Sequence, residues 1–200
     1  MFDPIRQELE AENTIGLLIG AQLGASPSEL NVIVRTATAD RQTGAIHTIN
    51  QYLITASGTV EHKLTLGLFD GMGYAEQHPL LQHHNATGIK VFITSAVADP
   101  DALLWAIDEL YTETFGKLRD LNADLNQRAD PREVLQDGMG VLATLPAPFA
   151  AQVDQLLIEQ SIGHQMVPTD PKIGGCALLA FDDSYMIARS FAVQILGLDE

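Results

Sequence analysis

The sequence is poor in cysteine and in basic residues. Cys176 is the single cysteine among 200 residues, so an intrachain disulfide and a zinc site of several thiolates are both excluded. Lysine and arginine together number 11 against 26 aspartates and glutamates, which gives a formal net charge of −15. Because this charge repels phosphate backbones and anionic lipid headgroups, we expect neither nucleic acid nor a membrane surface as a partner. A basic protein partner fits the charge.

The sequence also lacks a long apolar run and the charge pattern of an export signal. Its longest apolar stretch starts at Ile15 and lasts about ten residues, whereas a membrane-spanning helix needs roughly 20. The charged residues at the N-terminus are mostly acidic, which is the wrong charge for a secretory signal. The expected location is therefore the cytoplasm. Hydrophobic residues make up 46% of the chain and charged residues 18%, as in folded globular proteins.

A helix is predicted at the start of the chain, because Asp3-Pro4 combines a helix cap with proline at the first helical position. We expect this helix to run to about residue 23 and to stop at a glycine. Its second half places three glycines four residues apart on one helix face: Gly16, Gly20 and Gly24. Such a flat stripe lets another backbone approach closely. The stripe packs either on the protein's own sheet or on a second copy.

Three strands are predicted next, over residues 31–39, 46–56 and 59–69, because these segments alternate and are rich in β-branched residues. Ser57-Gly58 is a favourable two-residue turn, so the last two segments are expected to form a hairpin. In that hairpin each residue is expected to pair with the residue whose number adds to its own to give 115. One face of the hairpin is apolar, the face that carries Leu64, Leu66 and Leu68.

Two histidines of this hairpin and the aspartate after it are candidate ligand-pocket residues: His47, His62 and Asp70. In the expected register, both histidines lie on the apolar face. His62 then either finds a hydrogen-bond partner in the core or lines a cavity as an acid or base. About six residues of strand, or roughly 20 Å, separate the two histidines, so they cannot bind the same ion.

A second histidine group lies in the polar connection over residues 74–88 and comprises His78, His83 and His84. These imidazoles and Asp70 form a metal site only if the fold brings them together around Zn²⁺ or a similar ion. No recognised spacing of metal ligands is present. The alternative is a solvated loop whose histidines stabilise turns and make surface hydrogen bonds.

No motif of a known enzyme class or cofactor-binding loop is present. Asp70-Gly71-Met72-Gly73 lacks the glycine spacing of nucleotide-binding loops. Cys176 lies in an apolar segment without an activating neighbour, as buried inert thiols do. The sequence therefore implies no cofactor and favours a protein without catalytic activity, while the question of an unorthodox enzyme stays open.

The second half of the chain alternates strands and helices. We expect, in order, a strand over 89–97, a long helix from Asp99-Pro100 to about residue 126, a short helix from Asp130-Pro131 to Gln136, a helix from Pro148, a loop over 161–171, a strand over 173–181, and a C-terminal helix over 185–198. The last of these segments also fits a strand.

The long central helix carries the remaining candidate surface. Leu103 and Ile107 define its core side, and at 100° per residue Trp105 falls near the opposite side. Two small residues lie close to it there, Thr112 and Gly116. A lone tryptophan on a polar face is either covered by another part of the chain or available to a partner, and tryptophan is favoured at binding hot spots.

These elements predict an α+β fold: one antiparallel β-meander of about five strands packed against the N-terminal, central and C-terminal helices. We expect a single domain over 1–200, in which 131–171 forms a possible helical insertion. The favoured function is a non-catalytic interaction, regulatory or chaperone-like module that acts as a homodimer, through Trp105 or the glycine stripe. The alternative is a small-molecule- or metal-binding protein, or an unorthodox enzyme, with a histidine-lined pocket.

Overall fold

The computed structural model describes residues 1–40, 43–116, 118–172 and 174–196. The chain divides into two compact units: Met1–Gln77 together with the chain from Gly175 onward form the first, and His78–Gly174 form the second. Strands outnumber helices, and every strand pairing of the described residues is antiparallel. The prediction of a mixed fold with antiparallel strands is confirmed. Whether the whole chain behaves as a single domain stays a prediction.

The first unit begins with a short helix and consists otherwise of strands. Its elements are α1 (Asp3–Leu9), β1 (Thr14–Leu23), β2 (Glu29–Ala39), β3 (Ile46–Ser57), β4 (Glu61–Lys63), β5 (Gly67–Phe69) and β6 (Met72–Ala75). Three further strands come from the end of the chain; to keep chain order they are β10 (Ala177–Phe181), β11 (Ser184–Ala188) and β12 (Ser190–Leu196).

These strands form two sheets with a shared core. The five-stranded sheet has the order β12-β3-β2-β1-β5, and the four-stranded sheet has the order β4-β11-β10-β6. One buried cluster joins the inward faces of both sheets and α1, and it includes Ile5, Val34, Tyr52, Leu179 and Met186. The predicted meander is confirmed in part, because β1, β2 and β3 are neighbours in order.

The predicted N-terminal helix is wrong beyond Leu9. The chain turns at Asn13, which adopts a positive φ of 61°, and β1 then pairs with β2 along its length. A spacing of four fits one helix face, but it also fits one strand face, because side chains alternate with a period of two. The glycines do not form a stripe: Gly16 is buried under the Phe69 ring, Gly20 has open space, and Gly24 lies next to Glu29.

The predicted hairpin register is also wrong. β3 pairs with β2 and β12, whereas the segment after Gly58 supplies β4, which pairs with β11. His62 therefore lies opposite Met186 and is exposed, and His47 lies opposite Thr38 and is exposed as well. A two-residue turn fixes a register only if the flanking strands pair with each other. Here β12, from the end of the chain, pairs with β3 in place of the segment that follows the turn.

The second unit is a small sheet with helices. It contains β7 (Gly88–Ile93), β8 (Gly140–Pro146) and β9 (His164–Pro168) in the order β8-β7-β9, with α2 (Gln82–Asn85), α3 (Pro100–Phe115), α4 (Pro131–Asp137) and α5 (Ala147–Glu159). Two turns of 3-10 helix lie at Pro79–Leu81 and Leu121–Ala123. The helices predicted from Asp130-Pro131 and Pro148 are confirmed.

Three boundaries differ from the predictions. The central helix ends at Phe115, because Gly116 adopts a positive φ of 69° and caps it. The predicted loop over 161–171 contains β9, which pairs with β7. The predicted C-terminal helix is β11 and β12, since inward residues spaced by four also fit a strand. Residue 173 of the predicted strand and residues 197 and 198 of that helix lie outside the described residues.

We predict that Gly16→Ala destabilises the protein, because its new Cβ would overlap the ring of Phe69, which is itself buried against Phe181. Overpacking of this kind typically costs about 1–3 kcal/mol. Urea unfolding measures the loss. Gly20→Ala is the matched control on the same strand, because nothing lies within 4 Å of its added Cβ. Equal losses in both variants would contradict the packing argument.

Candidate interaction surface and buried polar cluster

Helix α3 has one fully buried side and one fully exposed side. Asp99 caps it by accepting a hydrogen bond from the backbone N–H of Ala102 at 3.0 Å, and Pro100 occupies the first turn. Four apolar and aromatic side chains at every fourth position are buried: Leu103, Ile107, Tyr111 and Phe115. Because this stripe fixes the rotation of the helix, the opposite side faces solvent.

Trp105 lies in the middle of that exposed side, and its side chain is 64% exposed. No other described part of the second unit covers this tryptophan. Thr112 is exposed two turns further along the same side, and Gly116 is exposed at the end of the helix. The three interface candidates on α3 thus lie along one accessible surface. Their role in an interface stays a prediction.

The exposed side of α3 is also strongly acidic. Its exposed carboxylates are Asp101, Asp108, Glu109 and Glu113, and the helix contains no lysine or arginine. Asp101 and Glu109 are each four residues from Trp105, which places them one turn away on either side. Asp101 accepts a hydrogen bond from Arg132 of α4 at 2.6 Å. We call Trp105, Asp108, Glu109, Thr112 and Glu113 the α3 surface.

A buried polar cluster lies on the inner side of the same helix, around the carboxylate of Asp124. The hydroxyl of Tyr111 donates to Asp124 Oδ2 at 2.6 Å, and His83 Nε2 lies 2.7 Å from the same oxygen. Arg119 Nη2 donates to Asp124 Oδ1 at 3.1 Å. The side chains of His83 and Asp124 are only 5% and 8% exposed. This carboxylate therefore holds α2, α3 and the segment after α3 together.

The cluster keeps Asp124 ionised. Burial alone would raise the pKa of Asp124, but the hydrogen bonds from His83 and Arg119, together with the bond from Tyr111, outweigh it and lower the pKa below its usual value. Burial and the Asp124 carboxylate raise the pKa of Tyr111. A carboxylate that accepts from three side chains and is shielded from water suits a structural role better than proton transfer to a substrate.

The three histidines of the predicted metal site have separate surroundings. His78 caps the first 3-10 turn, where its Nδ1 accepts from the backbone N–H of Leu80 at 3.2 Å, and burial lowers its pKa. His83 belongs to the buried cluster, and Lys172 Nζ donates to its backbone carbonyl. His84 is half-buried. Over the described residues, the fold gathers no group of three His, Cys, Asp or Glu side chains that could hold a metal ion.

The ligand-pocket candidates in the first unit are also apart from one another. Asp70 lines a cavity of about 380 Å³ together with Arg6, Leu9, Glu10 and Met72. The exposed His47 and His62 are not among the residues that line it. Arg6 Nε is buried and has no hydrogen-bond partner among the described residues. The lining combines two carboxylates and one arginine with apolar side chains and contains no histidine.

Cys176 is buried, and burial raises the pKa of its thiol despite the nearby charge of Arg189. A raised pKa favours the neutral thiol over the nucleophilic thiolate.

Sequence reasoning missed two carboxylate networks, one buried and one partly buried. One is the cluster around Asp124; the other anchors α1, where the Glu8 carboxylate accepts from Thr36 at 2.5 Å, Asn50 at 2.5 Å and Tyr52 at 2.8 Å. Burial and Glu8 raise the pKa of Tyr52 to about 12. Tyr111 was detectable, because it lies four residues after Ile107 on the buried stripe. The acidic partners carry no local signal, since they lie in distant segments.

Comparisons with known proteins identify no relative. No protein-family model, no curated protein and no solved structure matches this chain. Among the described residues, no helix combines the length and the apolar character that crossing a bilayer requires. Functional inference therefore rests on the residues themselves.

We predict that Asp124→Asn lowers the free energy of unfolding at neutral pH by on the order of 3 kcal/mol, because it leaves buried partners without a charged acceptor. The folded pKa of Asp124 lies below the unfolded value of about 3.9. Its stabilisation is therefore present above about pH 4 and is lost as the pH falls through the folded pKa.

Urea unfolding of the native protein and of Asp124→Asn at a series of pH values measures this effect. The difference in stability between the two proteins should be largest near neutral pH and should shrink on acidification below about pH 4. Asp108→Asn, which changes an exposed carboxylate on the other side of α3, is the control. A difference that does not depend on pH would contradict the role of the ionised carboxylate.

Proposed function

We propose that this protein is a non-catalytic interaction module that binds a basic protein partner through the α3 surface and acts as a homodimer. The observation that carries the proposal is the exposed Trp105 among carboxylates on a helix without any basic residue. Its side chain is 64% exposed among the described residues, and tryptophan is enriched at binding hot spots.

The chemistry of the α3 surface supports a cationic partner. Arginine and lysine side chains bind the face of an indole ring, and the attraction contributes about 0.5–1 kcal/mol at exposed sites and more when water is excluded. The carboxylates of Asp108, Glu109 and Glu113 on the same surface add charge attraction and speed encounter. The net charge of −15 over the whole chain acts in the same direction. Nucleic acid and anionic membranes carry the wrong charge for this surface.

A second candidate function is small-molecule binding at the cavity that Asp70 lines. The position of Arg6 in the lining favours it, because a guanidinium group binds ligands that carry acceptor groups. Native mass spectrometry of freshly purified protein tests this alternative. A bound mass that disappears in Asp70→Ala supports it, and protein of the bare mass at high recovery speaks against it.

The α3 surface is testable with the protein's own fluorescence, because Trp105 is the single tryptophan. We expect saturable changes in its emission when a short unstructured peptide of alternating arginine and serine is added. The same peptide with glutamate in place of arginine should give none. Binding should weaken as salt is raised toward 1 M, where the screening length falls to about 3 Å.

A charge-matched pair of variants locates the site. Asp108→Asn combined with Glu109→Gln should weaken peptide binding about tenfold, because it removes both charges next to Trp105 on the α3 surface. Glu133→Gln combined with Asp137→Asn removes the same number of exposed carboxylates from α4 and should leave binding nearly unchanged. Equal weakening by both pairs, or no saturable change with the native protein, would sink the proposal.

A further inference from the structure

The outward face of the five-stranded sheet carries apolar side chains around an arginine and a glutamine. Leu17 of β1 lies between Leu68 of β5 and Arg35 of β2, and Arg35 lies opposite Gln51 of β3. In the next row, Ile33 of β2 lies opposite Leu53 of β3. We call these six residues the outer sheet face. Their neighbours along each strand, such as Leu18, Val34 and Tyr52, point into the core and are fully buried.

No element of the first unit covers the outer sheet face among its described residues. The helix of this unit, α1, packs on the other side, where Ile5 joins the core between the sheets. Leu68 is 66% exposed, and its neighbour Leu66 is 60% exposed. The central residues Ile33 and Leu53 are half-buried. Contiguous exposed apolar surface of this kind marks interaction sites in soluble proteins.

The charge of the outer sheet face differs from that of the chain as a whole. None of its six residues is acidic, although acidic residues outnumber basic ones by 26 to 11 in the sequence. Its one charged residue, Arg35, donates to Gln51 Oε1 at 2.7 Å through Nη2 and also contacts that oxygen through Nε. The guanidinium is therefore held along the sheet toward Gln51.

We propose that two copies of this chain associate through the outer sheet face, back to back. This inference rests on the proposed function, in which the protein is a homodimer, and it assigns the surface. In a two-fold symmetric interface each patch meets its own copy. Any carboxylate-bearing surface of so acidic a chain would then meet the same charges, whereas the outer sheet face brings leucine and isoleucine side chains together.

The dimensions of the face set the expected affinity. The whole outward side of the sheet, five strands spaced about 4.8 Å apart over about six residues of 3.3 Å each, covers roughly 400–500 Å² per copy. The outer sheet face is the central part of this area. Even the whole side is smaller than the roughly 800 Å² that each partner buries in a standard interface, and it falls in the range of weak, transient contacts. We therefore expect a weak, reversible dimer that forms only at high protein concentration.

Sedimentation equilibrium over a wide range of concentrations tests the proposal on the full chain. The native protein should pass from monomer to dimer as its concentration rises. Leu68→Glu should weaken the dimer at least tenfold, because it places a carboxylate in the interface. This side chain is mostly exposed, so the change spares the fold. Ile33→Thr, which keeps a β-branched side chain at the centre of the face, should weaken the dimer as well.

Leu23→Glu is the matched control. Leu23 is 69% exposed at the end of β1 in the same sheet, but it lies opposite the inward-facing Leu30 and outside the outer sheet face. This variant has the same charge change as Leu68→Glu and should dimerise like the native protein. Thermal unfolding followed by circular dichroism checks that each variant is folded. If Ile33→Thr does not fold, Leu68→Glu alone tests the surface.

The outcomes separate this inference from the proposed function. A native protein that stays monomeric at every concentration overturns both the dimer and its surface. A native dimer that Leu68→Glu and Ile33→Thr leave intact overturns the surface alone. Equal weakening by Leu23→Glu and Leu68→Glu also overturns the surface, because it shows general charge repulsion. Loss of the dimer in the two outer-face variants, with the control intact, supports the proposal.

Discussion

The packing of the two sheets of the first unit against each other decides which of their side chains are buried and which face outward. Apart from the irregularities in β1 and β2, the side chains of β1, β2, β3 and β12 alternate between that shared core and the outward side of the sheet. The outer sheet face is the consequence of this alternation. It is largely apolar, and no element of the first unit covers it among the described residues, which is why it is the surface at which we place a second copy.

The second unit depends on a different interaction, the carboxylate of Asp124. Burial of an acidic group is costly unless its hydrogen bonds are complete, and here three side chains supply them. The same helix that buries Tyr111 against this carboxylate presents Trp105 to solvent. The buried cluster and the α3 surface are thus two sides of one helix, and the inner side fixes the orientation of the outer side.

The two proposed surfaces have opposite character, and this suits an adaptor. The outer sheet face is apolar and nearly neutral, which favours a symmetric contact between like copies. The α3 surface combines an indole ring with carboxylates, which favours a partner of the opposite charge. A dimer with one such acidic surface on each copy would present two binding sites, and linked sites raise the apparent affinity for a partner that carries two basic segments.

The sequence by itself determined those features that depend on residues within about four positions of one another. These are the helix starts at Asp99-Pro100 and Asp130-Pro131, the placement of Trp105 on the side of α3 opposite its core residues, and the acidic charge. Tertiary structure alone decided that the glycines of β1 lie in a strand, that β12 pairs with β3, and that His83 meets Asp124. A spacing of four fits both a helix and a strand, and contacts between distant segments leave no local pattern, so only the packing of the whole chain selects among them.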